Sequence, residues 1–120
     1  MGAAAVGCNC SGGPDSLLGV IADMRAVTRL PLFAKPNAGL PHVRDGNTVF
    51  DLQADDFARA MPALVRAGAS IVGGCCGTGP AHIRAMVAAC RDLPRPAPDG
   101  VPDAFTLASA RRYLQHTRLD

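Results

Sequence analysis

The sequence predicts an α/β fold with a parallel sheet. Three short apolar runs alternate with segments of helical periodicity, and glycine or proline separates one kind of segment from the next. Alternation of strands and helices is typical of βα units, whose strands lie parallel in one sheet. With 120 residues, the chain has room for one small domain.

The predicted strands span residues 3–8, 30–34 and 69–73. The first helix is expected to begin after Gly13, because Pro14 suits the first helical position. Its apolar residues recur on one face at helical spacing: Leu17, Leu18, Ile21, Met24 and Val27.

A long connection over residues 40–54 follows the second strand, with a short strand at residues 48–50. Asp55 is then expected to cap a helix that runs to residue 67, where Gly68 is the stop signal. A third helix is expected from Pro80 to residue 93.

The folded unit should therefore cover residues 1–93, as the C-terminal part of a larger architecture described below. Prolines at alternate positions predict a linker over residues 94–102, because they prevent regular structure. Residues 103–120 form a C-terminal tail, in which residues 103–116 are expected to be an amphipathic helix.

The composition argues against several classes of function. Twelve Lys and Arg residues nearly balance ten Asp and Glu residues, so a basic surface for nucleic acid is not expected. With no Trp and one Tyr, the chain lacks base-stacking platforms. Since it has neither a membrane-spanning apolar stretch nor the pattern of a signal peptide, we expect no membrane partner and a cytoplasmic location.

Three cysteines carry the strongest functional signal. Cys10 follows the first predicted strand, and Cys75 and Cys76 follow the third in a glycine-rich run. Functional groups of parallel βα folds gather at the carboxyl ends of strands, so the three sulfurs should converge. Three thiolates can bind zinc at about 2.3 Å each and leave a fourth position for water or substrate, as in a catalytic zinc site.

The adjacent pair needs a bend in the backbone. Neighbouring residues of a regular strand point to opposite faces, so Cys75 and Cys76 share a metal only if the chain turns there. Gly73, Gly74 and Gly77 permit such a turn.

Other interpretations of the cysteines remain open. Cys8 lies two residues before Cys10 and is an alternative ligand, whereas Cys90 is expected to pack in the core. Alternatively, the pair Cys75-Cys76 is a buried or oxidisable dithiol and Cys10 is a core residue.

Three motifs resemble those of the zinc-dependent homocysteine S-methyltransferases, in order and in spacing. They are Gly7-Cys8-Asn9-Cys10, Pro36-Asn37-Ala38-Gly39-Leu40-Pro41 and Gly73-Gly74-Cys75-Cys76-Gly77-Thr78-Gly79-Pro80-Ala81-His82-Ile83. The second motif is most similar to the homocysteine-binding module of cobalamin-dependent methionine synthases. The resemblance covers roughly residues 3–93.

The resemblance implies a TIM-type (β/α)8 barrel with zinc bound by Cys10, Cys75 and Cys76. It implies that the thiol of homocysteine becomes the fourth ligand and, as a thiolate, attacks a methyl group to give methionine. The methyl donor would be methylcobalamin or another methyl carrier bound elsewhere. Zinc stabilises the thiolate, which is the nucleophilic form of sulfur.

The same motifs suggest further roles. Asn9 and Asn37 lie at strand ends and are predicted to bind substrate, although asparagine is also common in tight turns. For His82 we expect capping or packing, since the resemblance gives the fourth zinc position to substrate.

The chain is too short for a whole barrel of this kind, which needs about 250 residues. We expect it to supply the last three βα units, as a piece of such an enzyme or as one product of a split gene. Its first and third strands would then be sheet edges, which invite association. Expected partners are a methyl-donor protein or domain and either a chain that completes the barrel or a second copy.

Two further functions stay open. One is a non-catalytic zinc-binding fragment or subunit that needs a partner chain. The other is a small thiol protein that uses Cys75 and Cys76 for redox chemistry or metal storage.

Overall fold

A computed structural model describes residues 2–94 and the backbone of residues 104–108 and 113–117. The elements follow in the order β1 (Val6–Asn9), α1 (Pro14–Val27), β2 (Leu32–Lys35), β3 (Pro41–Arg44), β4 (Asn47–Phe50), α2 (Ala54–Arg66), β5 (Ala69–Val72), α3 (Pro80–Cys90), β6 (Ala104–Ala108) and β7 (Tyr113–Thr117).

The predicted parallel sheet is confirmed. β2 lies in the centre and pairs in parallel with β1 on one side and β5 on the other. β1 is shorter than predicted, because its pairing begins with Val6 opposite Leu32 and residues 3–5 precede the ladder. In the described part of the chain, β1 and β5 are therefore the edges of this sheet.

One face of the sheet is covered by the helices. Leu32 and Ala34 of β2 and Ala69 of β5 are buried on that face. They pack in one cluster with the buried helix residues Leu17, Ile21, Phe57, Met61, Leu64 and Met86. Alternate residues of β2 point the other way. A register shift between Leu32 and Phe33 places Phe33 beside Ile71, although Ile71 is only two residues from the buried Ala69, and Ile71 is 50% exposed.

The helix starts follow the predicted signals at two of three positions. α1 and α3 begin at Pro14 and Pro80, each after a glycine. The predicted cap at Asp55 is wrong: α2 is capped by Gln53, whose carbonyl accepts the first helical hydrogen bond from Phe57 N at 2.9 Å. Asp55 instead lies in the first turn, where the helix dipole favours a negative charge.

β3 and β4 form an antiparallel hairpin in the long connection after β2. The turn between these two strands contains Asp45 and Gly46, which both have positive φ angles. The predicted strand at residues 48–50 is therefore confirmed, and residues 41–44 pair with it.

The helix predicted over residues 103–116 is wrong. The backbone forms the antiparallel strands β6 and β7 instead. Phe105 and Leu107 are two residues apart and Thr106 lies between them, which is the period of a strand, and Tyr113 and Thr117 also favour strands. Residues 95–103, most of the predicted linker, lie outside the described residues.

The longest described helix, α1, has 14 residues, and none of the described helices combines the length and apolarity that a bilayer crossing requires.

Candidate metal centre

Three cysteine sulfurs converge where β1 and β5 end. The Sγ atoms of Cys10 and Cys76 lie 3.8 Å apart, and those of Cys75 and Cys76 lie 3.9 Å apart. All three sulfurs lie within 4.8 Å of one another. Among the cysteine, histidine, aspartate and glutamate side chains of the described residues, these three cysteines form the group that can hold a metal ion.

The loop after β1 reaches the site through an unusual backbone conformation. Cys10 and Ser11 have φ angles of 63° and 65°, a left-handed region that residues other than glycine seldom adopt. The backbone N–H of Cys10 donates to the carbonyl of Lys35 at 3.0 Å, and that of Asn37 donates to Gly12 at 2.8 Å. Such conformations cluster at functional sites, where the surrounding structure enforces them.

The adjacent cysteines share the site because the chain turns directly after them. Thr78 closes the turn, since its N–H and its hydroxyl both donate to the carbonyl of Cys75, at 3.2 Å and 2.6 Å. Gly77 has a φ of 77°, and a Cβ there would lie 2.3 Å from the ring of Phe50. A glycine is therefore required at position 77 for both conformation and space.

The loop after β2 holds the paired cysteines in place. Asn37 is 6% exposed, and its Oδ1 accepts a hydrogen bond from the backbone N–H of Cys76 at 3.1 Å. Ala38 N donates to the carbonyl of Cys76 at 2.9 Å, and Cys75 N donates to the carbonyl of Pro36 at 2.8 Å. These three bonds fix the backbone that carries two of the sulfurs.

Asparagine amides also face the sulfurs themselves. Asn9 Nδ2 donates towards Cys75 Sγ at 3.9 Å, and the side chain of Asn37 also hydrogen-bonds the thiol of Cys10. Both amides thus stabilise negative charge on sulfur. The predicted role of Asn9 and Asn37 in substrate binding stays a prediction.

The thiols differ in acidity. A hydrogen bond from the backbone N–H of Ser11, followed by one from the thiol of Cys76, lowers the pKa of Cys10. The hydrogen bond with Cys10 raises the pKa of Cys76, with a further contribution from Cys75. Cys10 therefore loses its proton before Cys76.

The other two cysteines lie outside this group. Burial raises the pKa of Cys8 and of Cys90, and both side chains pack against the hydrophobic core. The prediction that Cys90 is a core residue is confirmed. Cys8, the alternative ligand, is not in the three-sulfur group.

The three sulfurs suit zinc. Two sulfurs that bind a tetrahedral zinc at about 2.3 Å each lie about 3.8 Å apart, which agrees with the observed separations of 3.8 and 3.9 Å. Thiolates are soft ligands that zinc accepts readily, and three of them leave one of four positions open.

His82 is a structural residue, as the sequence predicted. Its Nδ1 accepts a hydrogen bond from the backbone N–H of Gly79 at 3.2 Å, and Nε2 bonds the carbonyl of Leu52 at 2.9 Å. The ring also meets Phe57 edge to face, with 5.6 Å between ring centroids.

One residue near the site, Asp51, cannot be recognised from the sequence. Asp51 accepts a hydrogen bond from Leu40 N at 2.9 Å with Oδ1, and its Oδ2 lies 3.1 Å from Nε2 of His42. The carboxylate thereby closes the base of the β3–β4 hairpin, next to a cavity of about 330 Å³. An acidic residue after a short strand has no motif to mark it, so only the three-dimensional structure reveals this contact.

The fold and the site define a class of protein. It is an α/β protein in which three cysteine thiols converge at the carboxyl ends of parallel strands and form a group that can hold a metal ion. The sequence pattern of the family described as homocysteine S-methyltransferase matches residues 1–90. The chain belongs to this family.

Similarity to individual proteins agrees with this family. The chain is 37% identical to methionine synthase of Mycobacterium tuberculosis over 97 residues, and the matched region covers 80% of this chain and 8% of that protein. It is 38% identical over 96 residues to methionine synthase of Mycobacterium leprae, over 77% of this chain and 8% of that protein. It is 38% identical over 92 residues to homocysteine S-methyltransferase 4 of Zea mays, over 73% of this chain and 27% of that protein. The chain thus spans less than a third of the length of these relatives.

Proposed function

We propose that the chain carries the zinc-binding part of an enzyme that transfers a methyl group to the thiol of homocysteine and so forms methionine. The observation that carries the proposal is the convergence of Cys10, Cys75 and Cys76, whose sulfurs have separations that suit one tetrahedral zinc. Membership of the homocysteine S-methyltransferase family supports the choice of substrate.

The side chains present would perform a defined part of this chemistry. Cys10, Cys75 and Cys76 would hold the zinc and leave one position for the homocysteine sulfur. Zinc, when bound there, would act as a Lewis acid that keeps a thiol deprotonated near neutral pH. The amides of Asn9 and Asn37 donate towards sulfur and would stabilise the negative charge of the site.

Asn9 and Asn37 are also the residues that we propose to contact homocysteine. Asn9 is exposed beside Cys75, so its amide can turn to a ligand, whereas Asn37 is buried and held by the backbone of Cys76. The methyl donor would be methylcobalamin or another methyl carrier, bound outside this chain.

The open sheet supports an incomplete barrel. β1 and β5 have free edges in the described part of the chain, and Ile71 is half exposed on the face that the helices leave uncovered. We propose that the three parallel strands are the last three of a (β/α)8 barrel. The remaining units would come from the rest of a longer protein, from a partner chain or from a second copy. Five free cysteines suit a reducing compartment such as the cytoplasm.

A titration of the cobalt-substituted protein tests this proposal. Co²⁺ bound to thiolates absorbs visible and near-ultraviolet light, so the spectrum reports each sulfur ligand. Homocysteine should add thiolate absorption and release a proton, because its sulfur enters the open position. Methionine, whose sulfur already carries a methyl group, should leave the spectrum unchanged.

Two variants, one at a proposed ligand and one outside the site, serve as controls for this titration. Cys76→Ser should show weaker thiolate absorption, because one of three sulfur ligands is gone, whereas Cys90→Ser, which alters a thiol outside the site, should behave as the wild type. The proposal is wrong if the wild type shows no thiolate absorption with Co²⁺, or if homocysteine and methionine change the spectrum equally.

A further inference from the structure

His82 is held at both ring nitrogens, which fixes its tautomer and its orientation. Because Nδ1 accepts the N–H of Gly79, the ring proton must lie on Nε2, which then donates to the carbonyl of Leu52. Phe57, which is fully buried, packs against the ring edge to face. The ring therefore presents its Nε2–H to one place, the peptide of Leu52.

The backbone of Leu52 continues towards the metal centre through its N–H, on the other side of its Cα from the carbonyl that His82 binds. The N–H of Leu52 donates to the carbonyl of Ala38 at 3.0 Å, and the N–H of Ala38 donates to the carbonyl of Cys76 at 2.9 Å. Three hydrogen bonds in sequence thus join the ring of His82 to the peptide of a sulfur ligand. The path crosses from α3, through Leu52 between the hairpin and α2, to the loop after β2.

We propose that His82 is a positioning residue of the metal centre, which holds Cys76 in place through Leu52 and Ala38. This inference rests on the proposed zinc site. It goes beyond capping of α3, because a cap needs only Nδ1 and the bond to Gly79. The bond from Nε2 leaves the helix and fixes the loop against which the cysteine peptide is hydrogen-bonded.

The outer hydrogen bonds of a metal site orient its ligands, and their loss typically weakens metal binding about 10–100-fold. Here the effect acts through the backbone of two intervening residues, Leu52 and Ala38, so we expect the lower end of that range. Loss of the Nε2 donor leaves the carbonyl of Leu52 without its ring partner, which frees Ala38 and then Cys76 to shift.

Two substitutions separate the roles of the two nitrogens. His82→Asn keeps an acceptor at the position of Nδ1 and can still cap α3, but it cannot reach Leu52. His82→Gln places an amide N–H at the position of Nε2 and can still donate to Leu52. If His82 positions the metal centre, His82→Asn should weaken zinc binding about tenfold, and His82→Gln should keep most of the wild-type affinity.

The measurement is zinc affinity by competition with a chelator, together with the absorption of bound Co²⁺ and the urea midpoint of each metal-free variant. Met86→Ala is the matched control, because Met86 is a buried residue of the same helix and its truncation lowers stability without touching these hydrogen bonds. Met86→Ala should keep wild-type zinc affinity and an unchanged Co²⁺ spectrum, despite its lower urea midpoint.

Three results would overturn the inference. Equal zinc affinity and equal Co²⁺ spectra in the wild type, His82→Asn and His82→Gln would remove the positioning role and leave the proposed zinc site standing. An equal loss of affinity in Met86→Ala and His82→Asn would show that general stability explains the effect. Failure of the wild type to bind zinc would overturn the proposed function and this inference with it.

Discussion

Asn37 and Cys76 are 39 positions apart in the sequence, yet the side-chain oxygen of Asn37 accepts the backbone N–H of Cys76 at 3.1 Å. This bond joins the loop after β2 to the turn after β5, two neighbouring strands of the sheet. It explains how a short, buried asparagine side chain of one loop fixes the backbone that carries a sulfur ligand on the next.

Removal of that acceptor should destabilise the protein. Asn37→Ala leaves the N–H of Cys76 without its partner in a partly buried place, which should lower the free energy of unfolding by about 1–3 kcal/mol. Asn47→Ala is the control, because Asn47 makes a longer bond of 3.3 Å to Asp45 on the exposed hairpin. Equal urea midpoints for the two variants would contradict the role given to Asn37.

Gly39 should tolerate no side chain. Its φ is 84°, and a Cβ would lie 1.7 Å from Oδ1 of Asp51, the atom that accepts the N–H of Leu40. Gly46 provides the comparison, since its φ is 75° but nothing lies within 4 Å of an added Cβ. Gly46→Ala should cost about 1–2 kcal/mol from backbone strain alone. Gly39→Ala should cost clearly more in urea unfolding, and a smaller loss than in Gly46→Ala would refute the clash.

Asp51 should make stability depend on pH in the acid range. Its hydrogen bond with His42, followed by that from Leu40, lowers the pKa of Asp51 below its ordinary value of about 4. A lowered pKa contributes stability above the unfolded value, and this contribution disappears as the pH falls through the folded value. The wild type should therefore exceed Asp51→Asn in stability at pH 7, and the difference should shrink below pH about 4.

Thermal unfolding at pH 7 and at pH 2.5 measures this difference. Asp92→Asn is the control, because the Asp92 side chain is 93% exposed. If the gap between the wild type and Asp51→Asn stays constant across the acid range, the Asp51 contacts do not act as described.

The thiols should react in a fixed order in the metal-free, reduced protein. The N–H of Ser11 and the thiol of Cys76 lower the pKa of Cys10, so its thiolate fraction near pH 7 exceeds that of Cys76, whose pKa is raised. Cys8 and Cys90 have pKa values raised by burial and should react slowly. Brief treatment with iodoacetamide, followed by mass spectrometry of peptides, should find Cys10 modified before the other three. Earlier modification of Cys76 or Cys90 would contradict this order.

The sequence predicts the elements near the site better than those far from it. Glycine followed by proline marks the starts of α1 and α3 correctly, because both residues act through local backbone geometry. Asp55 fails as a cap because Gln53 already begins the helix, and no local rule excludes that start. The C-terminal strands were missed because their apolar residues fit a helical period as well as a period of two.

At the site, too, some features can be predicted from the sequence and others cannot. The positions of the three cysteines at strand ends follow from βα topology, so their convergence can be predicted. The hydrogen bonds of Asn37, Asp51 and His82 cannot, because each joins parts of the chain that only the folded loops bring together.

The most direct test of the zinc site is the zinc content of reduced, size-separated protein. The wild type should hold about one zinc per chain, as should Cys90→Ala, whereas Cys75→Ala should lose its zinc. Elemental analysis measures the zinc content of all three proteins, and circular dichroism checks that each sample is folded. Zinc-free wild type that is folded, or zinc retained in Cys75→Ala, would contradict the claim that Cys10, Cys75 and Cys76 form a zinc site.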